Sequence, residues 1–286
     1  MATPQEVFSR TLAYIEDNLD AAVSLEELTE ISGLSRFALI RLFSRLCGLT
    51  PMEYARGRRL SLSIPQLMRG DRIIDIALDA GFEHEQSYIR AFRDVFHMTP
   101  ARFRRQEKPV SIVDVPRFTG FTVSHSGMLG KPKLLARPAF SMCGSLRCYN
   151  YADNLMDGTP LVEGLAAFTK ESYTAACRTS PQNQFTHLYL IEGEGEPGET
   201  RWQWPAGQWA QFQYIGLHPL DKEGARRIRL MASLVAGTWF SERGARWDGQ
   251  FIEHVEKSWL GEQYCEVEFL CPVDVYPRNW ADGIIR

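Results

Sequence analysis

Two sets of side chains in this 286-residue chain could recognise another molecule. The first is Glu85, Gln86, Ile89, Arg90 and Arg93, which would share one face of a helix whose other face carries Tyr88, Ala91, Phe92, Val95 and Phe96. Gln and Arg present paired hydrogen-bonding atoms that fit adenine and guanine edges, and the Arg fork also fits phosphate. The second set is Glu266 and Glu268. Strand alternation puts both, with Leu270, on one face and Val267, Phe269 and Cys271 on the other. A carboxylate partly desolvated by aromatic neighbours favours a cationic ligand, which offsets the cost of burying its charge. The plainer alternatives are a solvated helix face and an edge strand with two solvated glutamates. No GxSxG, HExxH or P-loop is present, and the six histidines are scattered, so no catalytic residue is assigned. Six cysteines lack CxxC spacing or His partners, so free buried thiols and no metal or cofactor are expected.

The first set needs a helix pair to position it. Ile73, Ile76, Ala77 and Ala80 recur at helical spacing, and Gly81 follows where a tight turn requires positive φ. The plan has a precedent upstream. Ser24 and Glu27 form a capping box, Leu25, Leu28 and Ile31 follow, Gly33 turns, and Ser35 caps a helix over 36–46. In that helix Leu39, Leu42 and Phe43 point inward, while Phe37, Ile40, Arg41 and Ser44 can point outward. Gly-Leu-Thr-Pro ends the first copy and His-Met-Thr-Pro the second, an internal repeat offset by about 50 residues. Helix 4–19 precedes both. A longer helix from Pro51 joins them and contains Pro65, which either bends it modestly near its end or alters the angle between the units.

Composition is that of a soluble globular protein, 44% hydrophobic with mean hydropathy -0.25. The absence of a membrane-length apolar run or an apolar signal core makes the cytoplasm the expected location. Net charge is -3, yet residues 1–108 balance 15 Lys+Arg against 15 Asp+Glu, and 14 of those cations are Arg. Binding to nucleic acid would therefore rest on placed arginines rather than bulk charge.

The run Gly81-Phe82, Ser87-Tyr88, Ala91-Phe92, Phe96, Thr99-Pro100-Ala101, Phe103-Arg104-Arg105 resembles the second helix-turn-helix of AraC/XylS transcription regulators. Arg56, Arg58 and Arg59 resemble a segment of that family's linking helix. The resemblance implies a monomeric reader whose two recognition helices enter successive major grooves of double-stranded DNA, with RNA polymerase as partner. It places base-reading positions on Phe37, Ile40 and Arg41 in the first unit, beside Glu85, Gln86, Ile89 and Arg90 in the second. Arg36 joins this DNA-facing set, and Arg45, Arg93, Arg104 and Arg105 are candidate phosphate contacts.

Helical periodicity ends at Pro109. Residues 109–133 read as a strand-rich connector with a loop at 128–133. Residues 134–286 read as α+β with an antiparallel sheet, strand–helix–strand–strand occurring twice, and the first helix is expected over 161–177 with Leu165, Phe168 and Tyr173 among its apolar positions. ARPAFSMCGSLRCY, HLYLIEGEG, GTWFSERGARWDGQFIEH and YCEVEFLCPV resemble segments of the GyrI-like effector domain, which often binds bulky cationic aromatic molecules. By that resemblance Glu268 is the first candidate ligand contact, Glu266 the second, and Trp239 and Tyr214 lie in groove-adjacent segments. The expected protein is a cytoplasmic transcription regulator, an activator, sensing a small hydrophobic or cationic effector. The alternatives are a ligand-independent protein-interaction module, or a DNA-binding domain fused to a small-molecule hydrolase.

Overall fold

The computed structural model describes residues 2–21, 23–106, 113–116, 121–124, 127–150, 161–162, 166, 171–179, 184–192, 200–243, 250–273 and 284–285. The chain divides into two compact units, one spanning Gln5–Phe118 and the other Thr119–Arg286 together with Met1–Pro4.

The helical unit contains α1 (Pro4–Asp17), α2 (Leu25–Ser32), α3 (Arg36–Cys47), α4 (Pro51–Arg69), α5 (Ile73–Asp79), α6 (Glu85–Phe96) and α7 (Pro100–Gln106). Ser24 and Thr50 each make a full capping box, with Glu27 and Glu53, and Ser35 caps α3 by accepting from the Ala38 N–H. Phe8, Ile15, Leu28, Leu39, Leu42, Phe43 and Tyr54 are sealed from solvent in the first half of the unit. The second half closes around Leu60, Leu67, Ile76, Ala77, Tyr88, Phe92, Phe96 and Phe103. Helix α4 therefore belongs to both halves, Tyr54 packing with Phe43 and Leu60 and Leu67 with the second core. It runs through Pro65 without a break.

The other unit is an antiparallel sheet of β1 (Phe121–Ser124), β2 (Gly127–Gly130), β3 (Lys133–Arg137), β4 (Phe140–Asn150), β5 (Ser172–Thr179), β6 (Gln184–Glu192), β7 (Thr200–Trp204), β8 (Gly207–Gly216), β9 (Phe251–Glu256), β10 (Cys265–Pro272) and β11 (Ile284–Ile285). The order is β1-β2-β8-β10-β9-β5-β6-β4-β7-β11, with β3 also on β8. Helix α8 (Lys222–Glu242), capped by Asp221, covers one face. Strands β8, β9 and β10 with α8 make one strand–helix–strand–strand set. Strands β4, β5 and β6, with helical residues 161–162 and 166 after β4, follow the same order. The two sets meet where β5 pairs with β9.

Two expectations need correction. Residues 172–177 of the helix expected over 161–177 belong to strand β5, and Tyr173 sits in it; Leu165 and Phe168 lie outside the described residues. The loop expected over 128–133 is strand as far as Gly130.

Candidate nucleic-acid interface and sensor site

On α3, Ala38, Leu39, Leu42 and Phe43 face the core. Arg36, Phe37 and Arg45 are exposed, and Ile40 and Arg41 are half-buried. Phe37 keeps 40% of its surface in water, a costly place for a phenyl ring unless something covers it. Arg36 pairs with Glu26 of α2; both side chains are largely solvated, so the pair adds little stability.

On α6, Tyr88, Ala91, Phe92 and Phe96 are buried. Gln86, Arg90 and Arg93 are exposed and Glu85 is half-buried. Ile89 departs from the outward set, because it packs against the second core. Tyr88 fixes the helix on α4 through a 2.8 Å hydrogen bond with Ser63 Oγ, and burial pushes its hydroxyl up to about 12. The outward faces of α3 and α6 thus carry arginines and Gln86 on helices whose opposite faces are anchored, as base reading requires.

Arg104, a candidate phosphate contact, is committed to the fold. Its guanidinium donates to the carbonyls of Leu67 (3.1 Å) and Asp71 beyond the end of α4. Arg58 and Arg59 are likewise engaged, with Glu16 and with the Ala21 carbonyl respectively. Arg105 is exposed.

In the sheet unit the four candidate ligand residues fall on two faces. Tyr214 is paired with Val267 and Phe212 with Phe269, under α8. Trp239 of α8 meets Phe212 edge-on at 5.8 Å and carries the Arg243 guanidinium 3.9 Å from its ring centre. Glu266 and Glu268 point to the opposite face, as alternation requires. Glu266 is fully buried; its carboxylate accepts from Tyr264 Oη at 2.9 Å and Gln213 Nε2 at 3.3 Å. Glu268 is half-buried and accepts from Gln211 Nε2 at 2.6 Å. His254 is the β9 partner of Glu268, hydrogen-bonds Thr174 and Glu256, and packs edge-on against Trp259. This polar patch grades along the same face into Ile252, Leu270, Ala176 and the buried Trp202, Trp204 and Trp209.

Two buried polar groupings under α8 escaped the sequence reading. Arg229 lies 2.5 Å from Glu253, with only 2% and 0% of the side chains exposed, and Tyr173 donates to the same carboxylate at 2.7 Å. Burial pushes the Glu253 carboxyl up, against the opposing pull of Arg229 and Tyr173. Truncating either charge would strand the other, at a cost of about 3–5 kcal/mol. A signal existed: Arg229 interrupts the apolar stripe Ala225, Ile228, Ala232, Ala236, and Glu253 stands between Phe251 and Val255 on the apolar face of its strand. The second grouping is His218, hydrogen-bonded to Tyr214 Oη (2.7 Å) and the Pro219 carbonyl (2.8 Å), with Cys265 Sγ at 3.7 Å. Burial lowers the imidazole below its ordinary value and raises the tyrosine and thiol, so all three are neutral near pH 7. A thiol held that way is a poor nucleophile.

Paired helix-turn-helix units with polar outer faces define a DNA-binding protein of the helix-turn-helix class, and comparison with known proteins agrees. A helix-turn-helix domain family matches residues 28–106. The regulatory protein SoxS of Escherichia coli K12 is 32% identical over 103 residues, 36% of this chain and 96% of SoxS. The right origin-binding protein of the same organism is 39% identical over 95 residues, 33% of each chain. The HTH-type transcriptional regulator YbfP of Bacillus subtilis is 34% identical over 101 residues, 35% of this chain and 34% of YbfP. The chain belongs to the AraC/XylS family of transcription regulators. The alignment with YbfP thus spans about a third of that relative's length, whereas SoxS is spanned almost throughout. Among solved structures, an AraC-type regulator from Chromobacterium violaceum aligns over 36% of this chain and 92% of its own (27% identity, TM-score 0.33). The structure of SAV2435 bound to tetraphenylphosphonium aligns over 53% of this chain and 98% of its own (10% identity, TM-score 0.36). Among the described residues no helix is long and apolar enough to cross a membrane.

Proposed function

We propose that this protein is a sequence-specific transcription activator that reads two successive major grooves through α3 and α6. In this reading it works with RNA polymerase and answers to a small hydrophobic or cationic effector held by a GyrI-like unit over residues 134–286. The observation that carries the DNA part is the repeated helix pair with exposed Arg36 and Arg45 on α3 and exposed Gln86, Arg90 and Arg93 on α6. Arg41 and Gln86 are the base-reading side chains in this account, and Arg45, Arg90 and Arg93 hold phosphate. Arg41→Ala or Gln86→Ala should relax base preference at one position by about 1–3 kcal/mol. A uniform loss over all sequences would make those residues phosphate contacts instead.

The effector part is supported by the Glu266–Glu268 pair, one carboxylate buried and one half-buried, with Glu268 across from His254, whose ring packs on Trp259. A cation reaching Glu268 would find a partly desolvated charge and a nearby indole. Titration with cationic aromatic compounds should change tryptophan fluorescence, and Glu268→Gln should abolish the change. Saturable binding that survives Glu268→Gln unaltered would move the site elsewhere, the α8-covered face with Trp239 and Tyr214 being the other candidate.

A further inference from the structure

Segment 113–116, the last described stretch of the helical unit, lies on the middle of α4, and three contacts fix Val113 there. Its N–H donates to Ser61 Oγ at 2.9 Å. Its carbonyl accepts from Arg58 Nη1 at 2.9 Å. Its side chain occupies the notch left by Gly57, where a Cβ would stand 2.7 Å from Val113 Cγ2. Both polar partners are themselves held. Ser61 donates to the Gly57 carbonyl at 2.8 Å, and Arg58 forks onto both carboxylate oxygens of Glu16 in α1, each at 2.9 Å. Asp114 places a further carboxylate 3.8 Å from Arg58.

The place matters as much as the contacts. Glycine inside a helix lowers its propensity, and Pro65 has no N–H to return to the carbonyl of Ser61. The stretch from Gly57 to Pro65 is thus intrinsically the weakest part of the helix that both helix-turn-helix cores share. Segment 113–114 docks on it and ties it to α1. We propose that residues 113–115 are a strap that stiffens α4 in its DNA-reading arrangement. Because the chain continues from the strap into the sheet unit, docking or release of Val113 transmits the state of that unit to the DNA-reading helices. The proposal rests on the DNA-binding reading above.

The test uses the full chain and a duplex enriched from a random-sequence pool by the wild-type protein. Gly57→Ala fills the notch while improving helix propensity; Val113→Gly empties the notch and leaves α4 untouched. Both should speed amide exchange at position 113 and weaken binding of the duplex by about 5-fold or more, the low end of ordinary coupling between sites. By reciprocity the duplex should slow exchange at Val113 in the wild type. Faster exchange in both variants with unchanged affinity would overturn the proposal, as would fast exchange at Val113 in the wild type with or without DNA. If the wild type enriches no duplex, the proposed function fails and the strap's role with it; slow exchange at Val113 would then still report docking, so the two failures are told apart.

Discussion

The two helix-turn-helix units follow one plan and are held by different means. In the first, Ser24 and Ser35 cap both helices with side-chain hydrogen bonds, and Gly33 and Gly48 end them in the left-handed conformation. In the second, Arg72 and His84 stand at the N-caps without a side-chain cap bond, and His97 ends α6 at φ 57. What the second unit has is a longer run of rings than the Phe8–Phe43–Tyr54 contacts of the first. Phe82 meets Tyr88, Tyr88 meets Phe92, and Phe92 meets both Phe96 and Phe103, with centroids 4.6–5.9 Å apart. One geometry is specified by local hydrogen bonds in one copy and by packing in the other. Packing acts through residues far apart in sequence, so the second unit should loosen when its core is disturbed and hardly respond at its caps.

The largest effect should come from Phe92→Ala, at about 3–5 kcal/mol in urea unfolding, because the cavity opens at the junction of three rings. A loss near 1 kcal/mol would mean that packing does not hold the second unit. Next is Ser35→Ala, expected to cost about 1 kcal/mol by removing the cap of α3, while His84→Ala should change stability by a few tenths at most. Equal losses at the two positions would erase the contrast. Tyr88→Phe should cost about 0.5–1.5 kcal/mol, limited because Ser63 Oγ still donates to the Leu60 carbonyl. The smallest is a gain: His97→Gly should stabilise by about 0.5–1 kcal/mol, since a side chain is disfavoured at positive φ. A loss there would show that the His97 side chain does more than cap α6.

The sequence was most legible where one side of an element faces water. Helices α3 and α6 alternate buried and exposed residues at helical period, so their inward and outward faces could be told apart, Ile89 packing on the core although read as outward. Strand β10 is covered on both faces, yet its polar–apolar alternation still separates Glu266 and Glu268 from Val267 and Phe269. Legibility failed where both faces are covered. Tyr173, Ala175, Ala176 and Cys177 of β5 are all buried, so the period of two disappears and a short apolar run reads equally well as helix. The loop expected over 128–133 was misplaced because residues 127–130 pair with both β1 and β8, and Tyr214 fills the space a side chain at Gly127 would need. The separation of Trp239 and Tyr214 from the two glutamates depends on strand register and on which face α8 covers, and neither is written in local sequence.

The central claim is that both units read DNA. Enrichment of duplexes from a random pool, scored position by position, tests it most directly. The account predicts two blocks of base preference about 10 base pairs apart, one helical turn, with Arg41→Ala flattening one block and Gln86→Ala the other. A single block, or both substitutions flattening the same one, would contradict it.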